Sequence, residues 1–184
     1  MNYKLTTILL AVGMLVMLGA STIQAAPEPT VQPAAPAGNY DFATFGTEWQ
    51  PEVRGQFTWF VPRDWGTQVK ATGGTDRWVH IAIPFATYIA GTPMKISHIE
   101  FCAKTSNAAG GTKPTEVTAT SDTGNTWLGG PSIGHKWPDN ALHCWYFDDP
   151  TPSFFPNLGL NVKLHFANTG DMITLYKAWV SVVP

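Results

Sequence analysis

Charged residues are scarce in this chain. Asp, Glu, Lys and Arg make up only 13% of its 184 residues, and the formal net charge is −2. The 11 Lys and Arg residues form no basic run. Nucleic acids and anionic membrane surfaces are bound by clustered basic side chains, so we expect neither as a partner. Neutral partners fit this composition better.

Signatures of catalysis and metal binding are missing as well. The sequence has no H-E-x-x-H, no C-x-x-C, no calcium-loop spacing and no G-x-S-x-G. His135, His143 and the pair Asp148-Asp149 offer too few converging ligands for zinc or calcium. We therefore predict no bound metal, no cofactor and no enzymatic activity.

Glutamate is rare too, with five residues in the chain. Glycoside cleavage needs two facing carboxylates. Glu100 lies in a predicted strand, and Glu100 with Asp148 is a conceivable pair for such a reaction. A hydrolase without a recognisable motif remains an alternative on this pair alone.

No apolar run is long enough to span a bilayer. The longest, Ile8–Leu18, has 11 residues, whereas a membrane helix needs about 20. Lys4 precedes this run and small residues follow it up to Ala25, which is typical of a cleavable export signal. We predict a signal peptide over residues 1–25, a secreted or periplasmic mature protein of bacterial type, and no membrane insertion after cleavage. A single membrane anchor is the alternative.

Cysteine occurs only twice, at Cys102 and Cys144, and both residues lie in the exported part. An even pair in an oxidising compartment usually forms a disulfide. We predict this bond, with two buried free thiols as the alternative.

Helical periodicity is absent beyond the signal. Residues 26–39 form a Pro/Ala-rich linker, which favours an extended spacer. From residue 40 to 184, short runs of alternating apolar and polar residues are separated by turn residues. We predict one all-β domain, an antiparallel β-sandwich of jelly-roll-like topology with about eight strands. The predicted strands are Val53–Val61, Gly66–Thr72, Arg77–Pro84, Lys95–Lys104, Thr115–Thr120, Leu142–Asp148, Gly159–Phe166 and Met172–Val183.

Three of these segments also carry a resemblance. They are W-G-T-x-V at Trp65–Val69, R-W-V-H-I-A-I-P at Arg77–Pro84 and G-L-x-V-x-L-x-F at Gly159–Phe166. Together they resemble the pattern of a family of small bacterial single-domain β-sandwich proteins of unknown function. The resemblance covers roughly Trp49 to Val183, and the chain departs from it in the Gly/Trp-rich central segment and the cysteine pair. It implies the sandwich fold and no catalytic residues.

Tryptophan is the abundant exception, with eight residues in the chain. Its flat apolar face matches the C–H face of a sugar ring. Trp127 and Trp137 lie in the Gly- and Pro-rich segment Thr126–Asn140, which we predict to be a binding loop. His135, Asp139 and Asn140 would supply hydrogen bonds to hydroxyl groups. The alternative is that both rings anchor the loop by packing, as we expect for the strand residues Trp59, Trp78, Trp145 and Trp179.

These observations favour a secreted non-catalytic binding module for carbohydrate or a similar neutral polar polymer, such as an extracellular polymer. A structural or adhesive protein that contacts envelope or matrix proteins is the second hypothesis, and the small hydrolase is the third. An exposed pair of loop tryptophans favours the first hypothesis over the second. A pocket that holds Glu or Asp beside His favours the third.

Overall fold

The computed structural model describes residues 38–121, 124–153 and 157–184. The predicted signal peptide and the predicted linker up to residue 37 lie outside these ranges. Within them the chain forms thirteen strands and two short 3-10 helices, Gly46–Glu48 and Pro131–Lys136. The strands are β1 (Tyr40–Thr44), β2 (Gln50–Pro51), β3 (Trp59–Arg63), β4 (Gly66–Lys70), β5 (Thr75–Ala82), β6 (Tyr88–Ile89), β7 (Thr92–Pro93), β8 (Lys95–Thr105), β9 (Lys113–Ser121), β10 (Gly124–Gly129), β11 (Leu142–Ser153), β12 (Gly159–Phe166) and β13 (Met172–Val183).

Two antiparallel sheets form the domain. The six-stranded sheet has the order β11-β8-β13-β4-β3, and β1 pairs with the far end of β13. The five-stranded sheet has the order β10-β9-β12-β5-β2. A third, two-stranded sheet consists of β6 and β7. Long-range antiparallel pairs dominate this topology, and the predicted all-β sandwich is confirmed.

Alternation along the strands builds the core between the sheets. In β5, Val79 and Ile81 are fully buried, whereas their neighbours Trp78 and His80 face outward. The buried positions of β12 alternate in the same way, from Leu160 to Phe166. Because successive side chains of a strand point to opposite faces, one face of each sheet covers the core and the other stays available for contacts.

The disulfide connects two neighbouring strands. Cys102 in β8 and Cys144 in β11 are direct partners in the ladder, with Cα atoms 4.0 Å apart, and their sulfur atoms are bonded. The predicted disulfide is confirmed.

The turn between β12 and β13 is held by one carboxylate. Asp171 accepts hydrogen bonds from the Asn107 amide (3.1 Å), the Thr112 hydroxyl and the Asn168 backbone N–H (3.0 Å). Burial raises the pKa of the Asp171 carboxyl, but these hydrogen bonds outweigh burial and hold this pKa below its usual range. The turn therefore also ties the loop before β9 to the end of the sandwich.

Two sequence predictions of local structure are wrong. The run Val53–Val61 is a strand only in its last part, because residues 53–58 form turns and bends around Gly55, whose φ is +91°. The segment Thr126–Asn140 is not a single loop, because its first residues pair with β9 as part of β10 and Pro131–Lys136 form a 3-10 helix. Among the described residues, no helix has the length and apolar character that crossing a membrane requires.

Candidate functional site

The structure places Trp137 in the core. Its side chain is only 1% exposed, its indole N–H donates a hydrogen bond to the Ala103 carbonyl (3.0 Å), and its ring packs against Phe101. Trp137 is therefore not a surface contact for a ligand, and the packing alternative describes it. The reason is that the 3-10 helix before it folds the chain back over β9 and turns the ring inward.

Two other predicted site residues, Asp139 and Asn140, form hydrogen bonds that hold loops in place. Asn140 accepts a hydrogen bond from the Ala108 N–H (2.8 Å) and donates one to the Ser106 carbonyl (2.9 Å). Asp139 contacts His143 Nε2 and accepts the Ala141 N–H, both at 2.7 Å. These hydrogen bonds lower the pKa of the Asp139 carboxyl, and the bond with His143 contributes most.

The remaining two predicted site residues precede Asp139 and Asn140 in the sequence. His135 is exposed at the end of the 3-10 helix. The described part of Trp127 is its backbone, which pairs with Thr118 in the β10–β9 ladder. The five predicted residues thus do not form one exposed cluster, and Trp127 and His135 stay predictions as ligand contacts.

A different set of polar residues forms a row across the five-stranded sheet. Gln50 pairs with His80, His80 with Asn161, and Asn161 with Thr118. Directly opposed residues of antiparallel strands share one face, and His80 and Gln50 are exposed. We call Gln50, His80, Asn161 and Thr118 the polar row. Trp127 is the β10 partner in the same register.

Small side chains flank the polar row on one side. Ala82, Gly159 and Thr120 are successive partners in the same three central strands, one step along from the polar row. The Asn161 amide donates hydrogen bonds to the Thr118 hydroxyl (3.3 Å) and to that of Thr120. A Cβ on Gly159 would meet only Thr120 within 4 Å, so these short side chains leave a low strip beside the polar row.

Ala82 also lines a cavity of about 870 Å³ at the β2–β5 edge. Gln50 and His80 of the sheet line this cavity too, together with Phe45, Glu48, Phe85 and Asn157 beside the sheet. We call it the edge cavity. Its volume lies within the range of ligand sites of proteins. Glu48 stands beside His80, as the hydrolase hypothesis requires, but it is the one carboxylate among the described lining residues, and glycoside cleavage needs two.

Charges on the other side of the polar row are compensated. Lys163 pairs with Glu116 (Nζ to Oε1, 2.7 Å) and lies 5.2 Å from the centre of the Trp78 ring. His165 pairs with Asp76 at 2.7 Å. On this side of the polar row these four groups therefore form two pairs, and the Trp78 ring adds aromatic surface.

The carboxylates considered for catalysis lie on the opposite sheet. His98 contacts Asp148 through Nδ1 (2.6 Å) and Glu100 through Nε2 (3.2 Å), so one imidazole separates the two acids. In the described part of the chain, one group of three side chains of the types that bind metals lies close together. It consists of Glu100, Cys102 and Cys144. Since the two cysteines are bonded to each other, Glu100 alone keeps a ligand atom there.

Comparison with known proteins is informative at the level of the fold. No protein-family model matches the sequence, and no curated protein matches it. Among solved structures, the xylan-binding module CBM15 superposes with a TM-score of 0.50 at 13% identity, over 79% of this chain and 97% of that one. This chain has the β-sandwich fold of that module. Nothing in these comparisons bears on the resemblance to small bacterial β-sandwich proteins, which stays a prediction.

Two further modules match at lower TM-scores. The carbohydrate-binding module CBM29_1 from Piromyces equi gives 0.39 at 11% identity, over 77% of this chain and 90% of that one. The module CBM36, solved with calcium and xylotriose, gives 0.37 at 13% identity, over 74% of this chain and 96% of that one. Identities this low describe the fold alone.

Sequence reasoning missed the polar row, although part of its signal was present. Alternation in β5 placed His80 on the outer face, and the same rule applied to β12 selects Asn161. What the pattern did not contain was the pairing of β2, β5, β12 and β9, which are far apart in sequence.

Proposed function

We propose that this domain is a non-catalytic carbohydrate-binding module and that the polar row with the edge cavity is its contact surface. The observation that carries the proposal is the unbroken row of uncharged or weakly basic polar side chains across the sheet, ending at the edge cavity. The sandwich fold shared with a xylan-binding module supports it at the level of architecture.

Neutral glycans match the chemistry of this face. Amide, imidazole and hydroxyl groups donate and accept hydrogen bonds, as sugar hydroxyls do. Four strand spacings make the sheet face about 20 Å wide from β2 to β10, which is long enough for several sugar rings. Trp78 supplies aromatic surface beside the polar row, and Trp127 is the proposed aromatic contact at its far end.

Secretion is part of the proposal. It is supported by the signal-like sequence of residues 1–25 and by the disulfide, since disulfides persist in oxidising compartments. A module that binds polymers outside the cytoplasm needs both export and a covalently stable fold.

The test is isothermal titration calorimetry with hexasaccharides of xylan, glucomannan and β-glucan. We expect Asn161→Ala and Gln50→Ala each to weaken binding about tenfold, because one hydrogen bond to a ligand contributes about 1–1.5 kcal/mol. Trp127→Ala is expected to weaken it as well. The matched control is Gln68→Ala, which removes an outward glutamine from the other sheet, where Gln68 accepts a hydrogen bond from Arg63.

The variants must keep the wild-type circular dichroism spectrum and melting temperature. Equal affinities of Asn161→Ala, Gln50→Ala and the unchanged protein for the hexasaccharide that binds would contradict the proposed surface. Absence of binding to all three hexasaccharides, and to a broader glycan array, would contradict the proposed function.

A further inference from the structure

A second cleft lies on the outer face of the six-stranded sheet. Three large apolar side chains stand at its rim with high exposure: Phe45 at 75%, Trp65 at 52% and Leu142 at 51%. The Trp65 ring leans on Tyr176, with ring centres 5.8 Å apart. The cleft holds about 270 Å³, and we call it the aromatic cleft. Grouped exposed apolar side chains are typical of interaction sites.

A β-bulge forms the middle of the aromatic cleft. The pairing of β13 with β8 shifts between Leu175 and Ala178, so Tyr176 and Lys177 together lie opposite the single residue Cys102. Both line the cleft. Bulges re-aim side chains and occur often beside binding sites. This one gives the sheet face an aromatic ring and an ammonium group at one position.

The backbone beneath the cleft is tightly fixed. The buried Trp49 indole donates a hydrogen bond to the Tyr176 carbonyl (2.7 Å), and the buried Thr67 hydroxyl donates one to the Gly46 carbonyl (2.7 Å). A Cβ on Gly46 would lie 2.8 Å from the Gly66 Cα and from the Tyr176 carbonyl carbon, so these segments touch through bare backbone. The exposed rings thus stand on a rigid base, which lowers the entropic cost of binding.

From this arrangement we infer that the aromatic cleft is a second sugar site that takes a single neutral pyranose ring, such as a chain end or a side branch. The exposed face of Trp65 provides the stacking surface for the C–H face of the ring. Asp64 and Lys177 at the rim supply an acceptor and a donor for hydroxyl groups. Their opposite charges cancel, which favours a neutral ligand, and the small volume favours one ring over a chain.

The aromatic cleft does not share a residue with the polar row. Phe45 lines both the cleft and the edge cavity, but the polar row belongs to the five-stranded sheet and the cleft to the six-stranded sheet. The two proposed sites therefore adjoin at Phe45, and variants of Trp65 and Asn161, each of which belongs to one site alone, test them separately. With both sites occupied, one module would hold two glycan segments.

The experiment is ¹⁹F NMR of the protein labelled with 5-fluorotryptophan, in which each of the eight tryptophans gives its own resonance. Resonances are assigned with Trp65→Phe, Trp59→Phe and Trp78→Phe. Methyl glycosides of xylose, glucose, galactose, mannose and N-acetylglucosamine are added up to high millimolar concentration. We expect a saturable shift of the Trp65 resonance with at least one of them, at a millimolar dissociation constant, because a single stacked ring binds weakly.

Trp59 is the matched control, because it is also an exposed tryptophan of the six-stranded sheet, 44% exposed, and lies outside the cleft. Tyr176→Ala should weaken the Trp65 response at least fivefold, whereas Asn161→Ala should leave it unchanged. A Trp65 resonance that moves no more than that of Trp59 with every glycoside would overturn the inference. A Trp65 response to cyclohexanol but to no sugar would also overturn it, because it would assign the cleft to an apolar ligand. A Trp65 response that appears on raising the protein concentration alone would overturn it as well, because it would assign the cleft to a second copy of the chain.

The same spectra separate this inference from the proposed function. A Trp78 response to the hexasaccharides with a silent Trp65 overturns only the second site. A Trp65 response to monosaccharides with no binding at the polar row overturns only the proposed surface.

Discussion

At the scale of single residues, the surroundings of each tryptophan decide its role. Trp49 and Trp137 are fully buried and use their indole N–H groups to bind backbone carbonyls, whereas Trp59 and Trp65 are about half exposed. The abundance of tryptophan predicted an aromatic binding surface, but it did not indicate which rings are exposed and which are buried. Trp59 was expected in the core and lies on edge strand β3, so its exposure corrects that prediction.

Trp137→Ala should destabilise the fold strongly. Removing a large buried aromatic side chain costs about 3–5 kcal/mol, and the Ala103 carbonyl would also lose its donor. Urea denaturation followed by far-UV circular dichroism measures the loss in the free energy of unfolding. Trp59→Ala is the control and should change it by less than about 1 kcal/mol. A Trp137→Ala protein as stable as the Trp59→Ala protein would show that Trp137 is not a packing residue.

At the scale of strands, alternation and turn chemistry predicted most elements. The bounds of β12 and β13 match the sequence prediction, because both strands alternate cleanly and the Asn168–Asp171 turn separates them. Strand β10 was missed, because Gly and Pro dominate its surroundings and only pairing with β9 makes it a strand. For the same reason the polar row was not predictable: its members come from strands that meet only in the folded sheet.

The ladder between β8 and β11 carries a pH-sensitive contact. Burial lowers the pKa of His98, but its hydrogen bonds with Asp148 and Glu100 and their negative charges outweigh burial and raise it above 6.5. The Tyr146 ring stacks on the imidazole at 5.9 Å, with Lys136 beyond it. The protonated imidazole therefore links the two strands through Asp148 of β11, and Glu100 holds it from its own strand β8.

The stabilisation from His98 should depend on pH in a defined direction. Because the pKa is raised on folding, this contribution is fully present below pH 6.5 and is lost as the pH rises through the folded-state value. We expect the free energy of unfolding to fall over this window. His98→Gln should flatten that part of the profile, and Asp148→Asn should reduce its slope. An unchanged slope in His98→Gln, from urea titrations between pH 5.5 and 8.5, would contradict this account.

At the scale of the whole molecule, the disulfide is the covalent constraint on the sandwich. It joins residues 42 apart in the sequence, and a loop of that length predicts a stabilisation of about 4 kcal/mol from the restricted unfolded chain. Cys102→Ser with Cys144→Ser should lower the free energy of unfolding by about this amount. The measurement is guanidinium denaturation of the oxidised protein, the reduced protein and the double variant. The reduced protein should match the double variant, and equal stability of all three would contradict the prediction.

The position of the disulfide also determines how the molecule responds to a protease. A single cut anywhere between Cys102 and Cys144 divides the polypeptide into two pieces that remain one covalent molecule, because the bond lies outside the cut. Such a nicked protein migrates as one band on a non-reducing gel and as two after reduction. Since β9, β10 and the Pro131–Lys136 helix all lie in this interval, the five-stranded sheet can be cut at a loop while its strands stay tethered. A single cut by a protease in this interval therefore does not release half of the fold.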